Sequence, residues 1–225
     1  MISGLDEDGT VAKLDDFPGL PSDIVLRQVH WRDFSELDAE AILSAHELSR
    51  RAEMKHSGRR NGFTLGRIAL RTLISSQLKI PAQEVVLEVA PTGQLFSPGS
   101  GLHVSLAHSG DTALAAVARR PIGVDLEEVR NKPDTLLDYI LSDMEKDHVY
   151  KLDVPDSHRL FLCWTLKESV LKGLGVGLRS SPKKVTIEVD MPSRTAHLMD
   201  PNDHAWEARF CISEQWVSAL AFKDD

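Results

Sequence analysis

The chain repeats itself at about half its length. Ile42-Leu43-Ser44-Ala45-His46-Glu47 and Ile140-Leu141-Ser142-Asp143-Met144-Glu145 share an Ile-Leu-Ser triplet. Both continue as Ser-x-x-Glu, the reciprocal capping arrangement of a helix start. The offset from Ile42 to Ile140, 98 residues, also carries residues 24–27 onto 122–125 and the helical stretch 63–78 onto 161–176. After each long helix come three β-prone runs, at 85–89, 102–107 and 112–118, then at 184–189, 206–212 and 216–222. Turn residues such as Pro91-Thr92-Gly93 and Ser109-Gly110-Asp111 separate them. A chain that meets one pattern twice is expected to be α+β, with two similar subdomains related by pseudo-duplication. Each would pack a long helix on a small antiparallel sheet. The joint falls near Arg119-Arg120-Pro121, giving an N-terminal subdomain over residues 1–120 and a C-terminal one over 121–225. Clefts between such units are where ligand sites form.

With 225 residues, 42% hydrophobic and 27% charged, the chain can bury a substantial globular core. No apolar run reaches membrane-span length, and Met1-Ile2-Ser3-Gly4-Leu5-Asp6-Glu7-Asp8 is acidic, the wrong sign for a signal or transit peptide. A cytoplasmic protein with no membrane partner is expected, and Cys163 and Cys211 read as buried, reduced thiols. The net charge of −8 argues against a general nucleic-acid binder. That acid excess is uneven. Arg50, Arg51, Lys55, Arg59, Arg60, Arg67 and Arg71 share a stretch whose one acid is Glu53. Taken singly, Lys55 or Arg71 is an ordinary solvated helix residue. Clustered, they repel one another unless an anion is near, and guanidinium matches phosphate geometry.

The run Ile122-Gly123-Val124-Asp125-Leu126-Glu127 alternates as a strand, with Asp125 and Glu127 on the face opposite Ile122, Val124 and Leu126. Residues 164–173 read as a helix that stacks Trp164, Glu168 and Lys172 at i, i+4 and i+8, with Leu162, Cys163, Leu166, Val170 and Leu174 on the other arc. Two acids on a sheet face are ordinarily solvated, and a Glu–Lys pair on a helix is ordinarily a surface ion pair. Together, three carboxylates form a candidate site for a hard divalent cation. Glu128 breaks the alternation and stands outside it.

These two motifs, in this order, resemble the (I/V)G(I/V)D(I/L)E and WxxKE(A/S)xxK signatures of the 4′-phosphopantetheinyl transferase superfamily, in its larger single-chain, surfactin-synthetase-activating type. Leu102-His103-Val104-Ser105-Leu106-Ala107-His108-Ser109-Gly110 is similar to that family's Ser-His-Ser-Gly strand end. The resemblance covers most of the chain from about Leu43 onward. It implies an enzyme that moves 4′-phosphopantetheine from coenzyme A to a serine of an apo acyl or peptidyl carrier protein, releasing adenosine 3′,5′-bisphosphate. It also implies Mg²⁺ held by Asp125, Glu127 and Glu168, with Glu168 as base and Lys172 on phosphate. Coenzyme A would contact Arg50, Arg60, His108, Ser109 and Lys172, between two halves of a monomer. The basic cluster would meet either coenzyme A phosphates or an acidic carrier protein.

Two departures from the family are visible. The loop before the histidine strand reads Gly93-Gln94-Leu95 where a lysine is usual, and Gly62 stands where an arginine is usual, with Arg60 as its nearest substitute. Trp164 is expected mainly to pack across the cleft, the alternative being substrate contact. Lys167 is expected to snorkel to solvent or phosphate. His30, His56, His148 and His204 show no metal-ligand spacing. Two other readings share the residues: a non-catalytic coenzyme A or carrier-protein binding module, and an Mg²⁺-dependent pyrophosphate hydrolase.

Overall fold

The computed structural model of the chain describes residues 17–132, 134–176 and 180–223, and the acidic segment 1–8 lies outside them. The first half runs β1 (Val25–His30), α1 (Glu36–Ile42), α2 (Ala45–Ala52), α3 (Ser57–Leu78), β2 (Glu88–Val89), β3 (Leu95–Phe96), β4 (His103–Ser109) and β5 (Thr112–Ala118). The second runs β6 (Ile122–Glu128), α4 (Leu137–Ile140), α5 (Asp143–Val149), α6 (Asp156–Gly173), β7 (Thr186–Asp190), β8 (Thr195–Met199), β9 (Ala205–Ile212) and β10 (Trp216–Phe222). One antiparallel sheet has the order β1-β5-β4 and the other β6-β10-β9-β8-β7, with β2 and β3 pairing separately. The architecture is mixed α and β with antiparallel sheets.

Each long helix buries its apolar stripe on its own sheet. Leu65, Ala69, Leu70, Leu73 and Ile74 of α3 meet Val29, Val104, Ala113, Ala115 and Val117. Leu162, Cys163, Leu166 and Val170 of α6, all fully buried, meet Ala208, Phe210, Val217 and Ala219. The opposite sheet faces share a third core, in which Leu114 and Ala116 join Ile122, Val124, Leu126 and Leu220. β4 and β6 are tied side by side: Ser105 Oγ accepts from the Val124 N–H at 2.9 Å and Ser109 Oγ from the Glu128 N–H at 3.3 Å. No described helix is long and apolar enough to cross a membrane. Cys163 and Cys211 are free thiols; Cys163 is buried, which pushes it up to about 12, whereas Cys211 is half-buried.

Several local expectations shift. The strand expected over 85–89 contracts to Glu88–Val89, because Val85 closes a 3₁₀ turn and its carbonyl accepts from Arg71 at 3.0 Å. The strand β8 went unforeseen. The helix expected to reach residue 176 stops at Gly173. There Gly175, at φ +70, makes a left-handed close, with Gly175 N–H on Lys172 O and Val176 N–H on Leu171 O.

Both Ser-x-x-Glu sequences form capping boxes. In each, the glutamate also anchors a cation of the long helix. Glu47 pairs with Arg67 and Arg71, and Glu145 accepts both short bonds of Lys167, at 2.8 and 2.9 Å. Lys167 has no exposed surface and also donates to Val185 O at 2.6 Å. It therefore reaches neither solvent nor phosphate, correcting the snorkelling expectation. An ammonium placed beside a capping carboxylate satisfies more of its hydrogen bonds there than at the rim.

Candidate functional site

The site begins with a missing side chain. A Cβ on Gly123 would lie 1.8 Å from Ser169 O and 2.6 Å from Gly173 N, so α6 rests directly on the β6 backbone. That seat brings Glu168 and Lys172, each one residue before those contacts, against the Asp125–Glu127 face. Lys172 Nζ lies 2.7 Å from Asp125 Oδ1. Among the described residues, Asp125 Oδ2 and Glu168 Oε1 are buried without a hydrogen-bond partner.

Burial pushes Glu168 up to about 7, reinforced by the charges of Asp125 and Glu127 and opposed by Lys172. Glu127 is also raised, by burial and then Asp125, while Lys172 and a hydrogen bond from Trp164 oppose the shift. Trp164 packs at the edge of the α6 core, as expected, and with Glu127 lines a hollow of about 350 Å³ beside Tyr139, Leu160 and Phe161. Clustered acids that raise the proton affinity of Glu127 and Glu168, with two orphaned carboxylate oxygens, suit a hard cation. Asp125, Glu127 and Glu168 therefore fit an Mg²⁺ donor set, although no group of three His, Cys, Asp or Glu among the described residues is already gathered as a metal cluster.

Beside this group opens a cleft of about 330 Å³ lined by Gln94, Leu95, Ser105, His108, Lys172 and Gly175, among others. It draws on both halves of the chain. His108 closes β4; burial and the charge of Lys172 lower its pKa, favouring a neutral ring. That ring packs on α3 at Gly62, where a Cβ would stand 3.0 Å from Nδ1. Gly62 thus gives His108 its place, which explains the absence of a larger residue. Ser109 is next to His108, with its hydroxyl accepting from Glu128.

The expected arginines divide. Arg50 lines a separate hollow of about 410 Å³ with Lys55, His56 and Arg59, and its guanidinium stacks on Phe63 at 5.4 Å. Arg60 is half-buried on α3, with its carbonyl bonded by Thr64. Arg51, Arg67 and Arg71 are committed to Glu36 or Glu47. Asp125, Glu127, Glu168 and Lys172 lie within electrostatic reach of one another where α6 seats on β6; Lys172 and His108 line the cleft, Glu127 lines a second hollow of about 350 Å³ with Trp164, and Arg50 stands in a third. Ser105 was missed; its signal was a small hydroxyl set between the apolar Val104 and Leu106 of β4. Gln94 was read only as a lost cation, yet its Nε2 donates to Lys172 O at 3.3 Å.

Residues 121–221, which include β6 and α6, match the family model for the 4′-phosphopantetheinyl transferase superfamily. The 4′-phosphopantetheinyl transferase HetI of Nostoc sp. is 32% identical over 63% of this chain and 63% of its own length. The 4′-phosphopantetheinyl transferase psf-1 of Bacillus pumilus is 26% identical over 51% of this chain and 50% of its own. The chain thus spans between half and two thirds of these curated relatives. A crystal structure of a holo-(acyl-carrier-protein) synthase from Bacillus anthracis in complex with CoA is a distant likeness, with TM-score 0.38 and 19% identity over 46% of this chain and 96% of that one. By the family match across residues 121–221 and by these relatives, the site-bearing half of the chain is similar to the 4′-phosphopantetheinyl transferase superfamily.

Proposed function

We propose that the protein is an Mg²⁺-dependent 4′-phosphopantetheinyl transferase of the larger single-chain type, taking coenzyme A and an apo acyl or peptidyl carrier protein as substrates. The observation that carries this reading is the meeting of Asp125, Glu127, Glu168 and Lys172 where α6 seats on β6, with Lys172 turned into a cleft that both halves line. Asp125, Glu127 and Glu168 would hold Mg²⁺, which when bound supplies charge neutralisation to a pyrophosphate. Phosphoryl transfer asks mainly for positioning and charge compensation. The carrier serine oxygen forms the new bond to the β-phosphorus. The bond from that phosphorus to the bridging oxygen breaks, and adenosine 3′,5′-bisphosphate leaves with the electron pair.

The serine proton needs an acceptor, and Glu168, with a buried oxygen that no hydrogen bond occupies, supports that role. Lys172, already turned into the cleft, would meet phosphate oxygens as charge develops on the leaving group. His108 and Ser109, at the end of β4, would contact the nucleotide, and Arg50 and Arg60 would meet phosphate only where the ligand extends past this cleft toward the separate hollow that Arg50 lines. The two halves, residues 1–120 and 121–225, read as a duplicated unit acting as a cytoplasmic monomer. The shared order of β1-β5-β4 and β6-β10-β9 supports the duplication, as do Arg71 and Lys167, each bridging a capping-box glutamate to the carbonyl of Val85 or Val185.

The deciding experiment incubates the protein with coenzyme A, Mg²⁺ and a set of apo carrier proteins, then weighs the carriers and assays the nucleotide. A phosphopantetheine mass gain that vanishes with chelator is expected. Coenzyme A cleavage without carrier modification would make it a hydrolase, and binding with neither would make it a binding module.

A further inference from the structure

Gln94 belongs to a tight turn on the opposite half from α6. Ala90 N–H binds Gln94 O and Gly93 N–H binds Ala90 O, both at 2.8 Å, with Gly93 at φ +91. The turn delivers the Gln94 amide onto the last turn of α6. Its Nε2 donates to Lys172 O, and its Oε1 lies 2.1 Å from where a Gly175 Cβ would stand. Gly175 is required twice, for the left-handed helix close and for room under this amide. Lys172, Gln94 and Gly175 line the same cleft.

We propose, resting on the transferase reading, that Gln94 is a positioning residue for Lys172: a neutral tie from the first half that fixes the end of α6. The argument is geometric. Lys172 is attached to the final turn of a helix, where backbone bonding runs out and ends fray. Its carbonyl is bonded by Gly175 N–H and by Gln94 across the cleft. A donor amide serves there, because it bonds a carbonyl at the negative end of the helix without adding charge beside the Lys172–Asp125 pair.

The test is a double-mutant cycle on single-turnover transfer, using wild type, Gln94→Ala, Lys172→Ala and the pair. Gln94→Ala should slow transfer about three- to tenfold, the worth of one neutral hydrogen bond, and lower the melting midpoint by no more than about 2–4 °C. It should add nothing once Lys172 is alanine. Gln94→Lys, which keeps a donor, should recover part of the rate. A wild-type rate in Gln94→Ala, or a loss that simply multiplies with that of Lys172→Ala, overturns the proposal. Hydrogen exchange at the Gly175 and Val176 amides gives an arm independent of activity, and Gln94→Ala should speed it without altering β10. If the wild-type protein modifies no carrier, the functional reading fails, while unchanged exchange at those amides sinks the tie.

Discussion

Gly123→Ala tests whether the site depends on backbone-to-backbone seating. The added methyl would fall 1.8 Å from Ser169 O and 2.6 Å from Gly173 N, both backbone atoms that no rotamer change can move aside. Restoring an ordinary 3.4 Å contact requires α6 to retreat from β6 by about 1.6 Å. Overpacking of this kind costs about 1–3 kcal/mol, and contact with helix backbone puts this variant near the upper end. Glu168 and Lys172 ride on the displaced turns. A lysine stem can follow such a shift, but a glutamate has little reach to spare. Misplacement of about 1 Å is worth roughly a hundredfold in rate, so transfer should fall by about that factor or more.

The assay is a denaturation curve beside single-turnover transfer, with Gly58→Ala as companion. No atom lies within 4 Å of the Gly58 Cβ position in the first turn of α3, so that variant should keep full activity and gain up to about 1 kcal/mol. A Gly123→Ala protein with a wild-type midpoint and rate would refute the seating argument. Full activity with lowered stability would break its link to the site.

Glu168→Gln should leave coenzyme A binding nearly intact while turnover drops by about two to four orders of magnitude if Glu168 is the base; partial recovery across an Mg²⁺ titration would show it to be chiefly a ligand, and normal rates throughout would remove both roles. Lys167→Met should cost about 3–5 kcal/mol in urea, since it leaves Glu145 buried without its cation, and Glu145→Gln in the same chain should recover part of that; an unchanged midpoint would contradict the buried pair. At Asp200, burial is outweighed by hydrogen bonds from Trp206, Asn202 N–H and His204 N–H and by Lys223, holding the carboxyl down to about 2. Its ionised form therefore contributes about 2 kcal/mol above pH 4, lost as pH falls toward 2, so the stability gap between wild type and Asp200→Asn should close over that window in pH-dependent denaturation.

Local periodicity made the second half readable. Alternation over Ile122–Glu128 exposed the carboxylate face, and the 3.6-residue spacing of 164–173 set Glu168 and Lys172 on one side of a helix. Capping boxes at Ser44 and Ser142 were visible for the same reason, because both partners lie within four residues. Partners distant in sequence were not visible. Lys167 finds Glu145 across 22 residues, Arg71 finds Glu47 across 24, and Gln94 finds Lys172 across 78. A charge on a helix reads alike whether it faces water, phosphate or a buried carboxylate, and only the packed fold chooses. The strand β8 escaped because its short run Thr195–Met199 carries a histidine among few β-branched residues.

The offset of 98 also shows where the two halves part. In sequence it sets Asp125 against the buried Arg27, Glu127 against Val29, Glu168 against Leu70 and Lys172 against Ile74, while Arg71 and Lys167, the cations that bond the capping-box glutamates, stand 96 apart. Val29, Leu70 and Ile74 have no exposed surface and sit in the core of the first half. At those positions the first half does what a helix on a sheet ordinarily does, burying apolar against apolar. The second half places acids and an ammonium there, leaves two carboxylate oxygens unpartnered, and so forgoes packing energy on the same scaffold. Departures of this kind from local consistency are expected where a fold does chemistry. The first half keeps its stability and lends the cleft its wall, His108 and Gln94. On the proposal that the halves are a duplicated unit, this asymmetry points to the same residues as the motifs do, by a separate route.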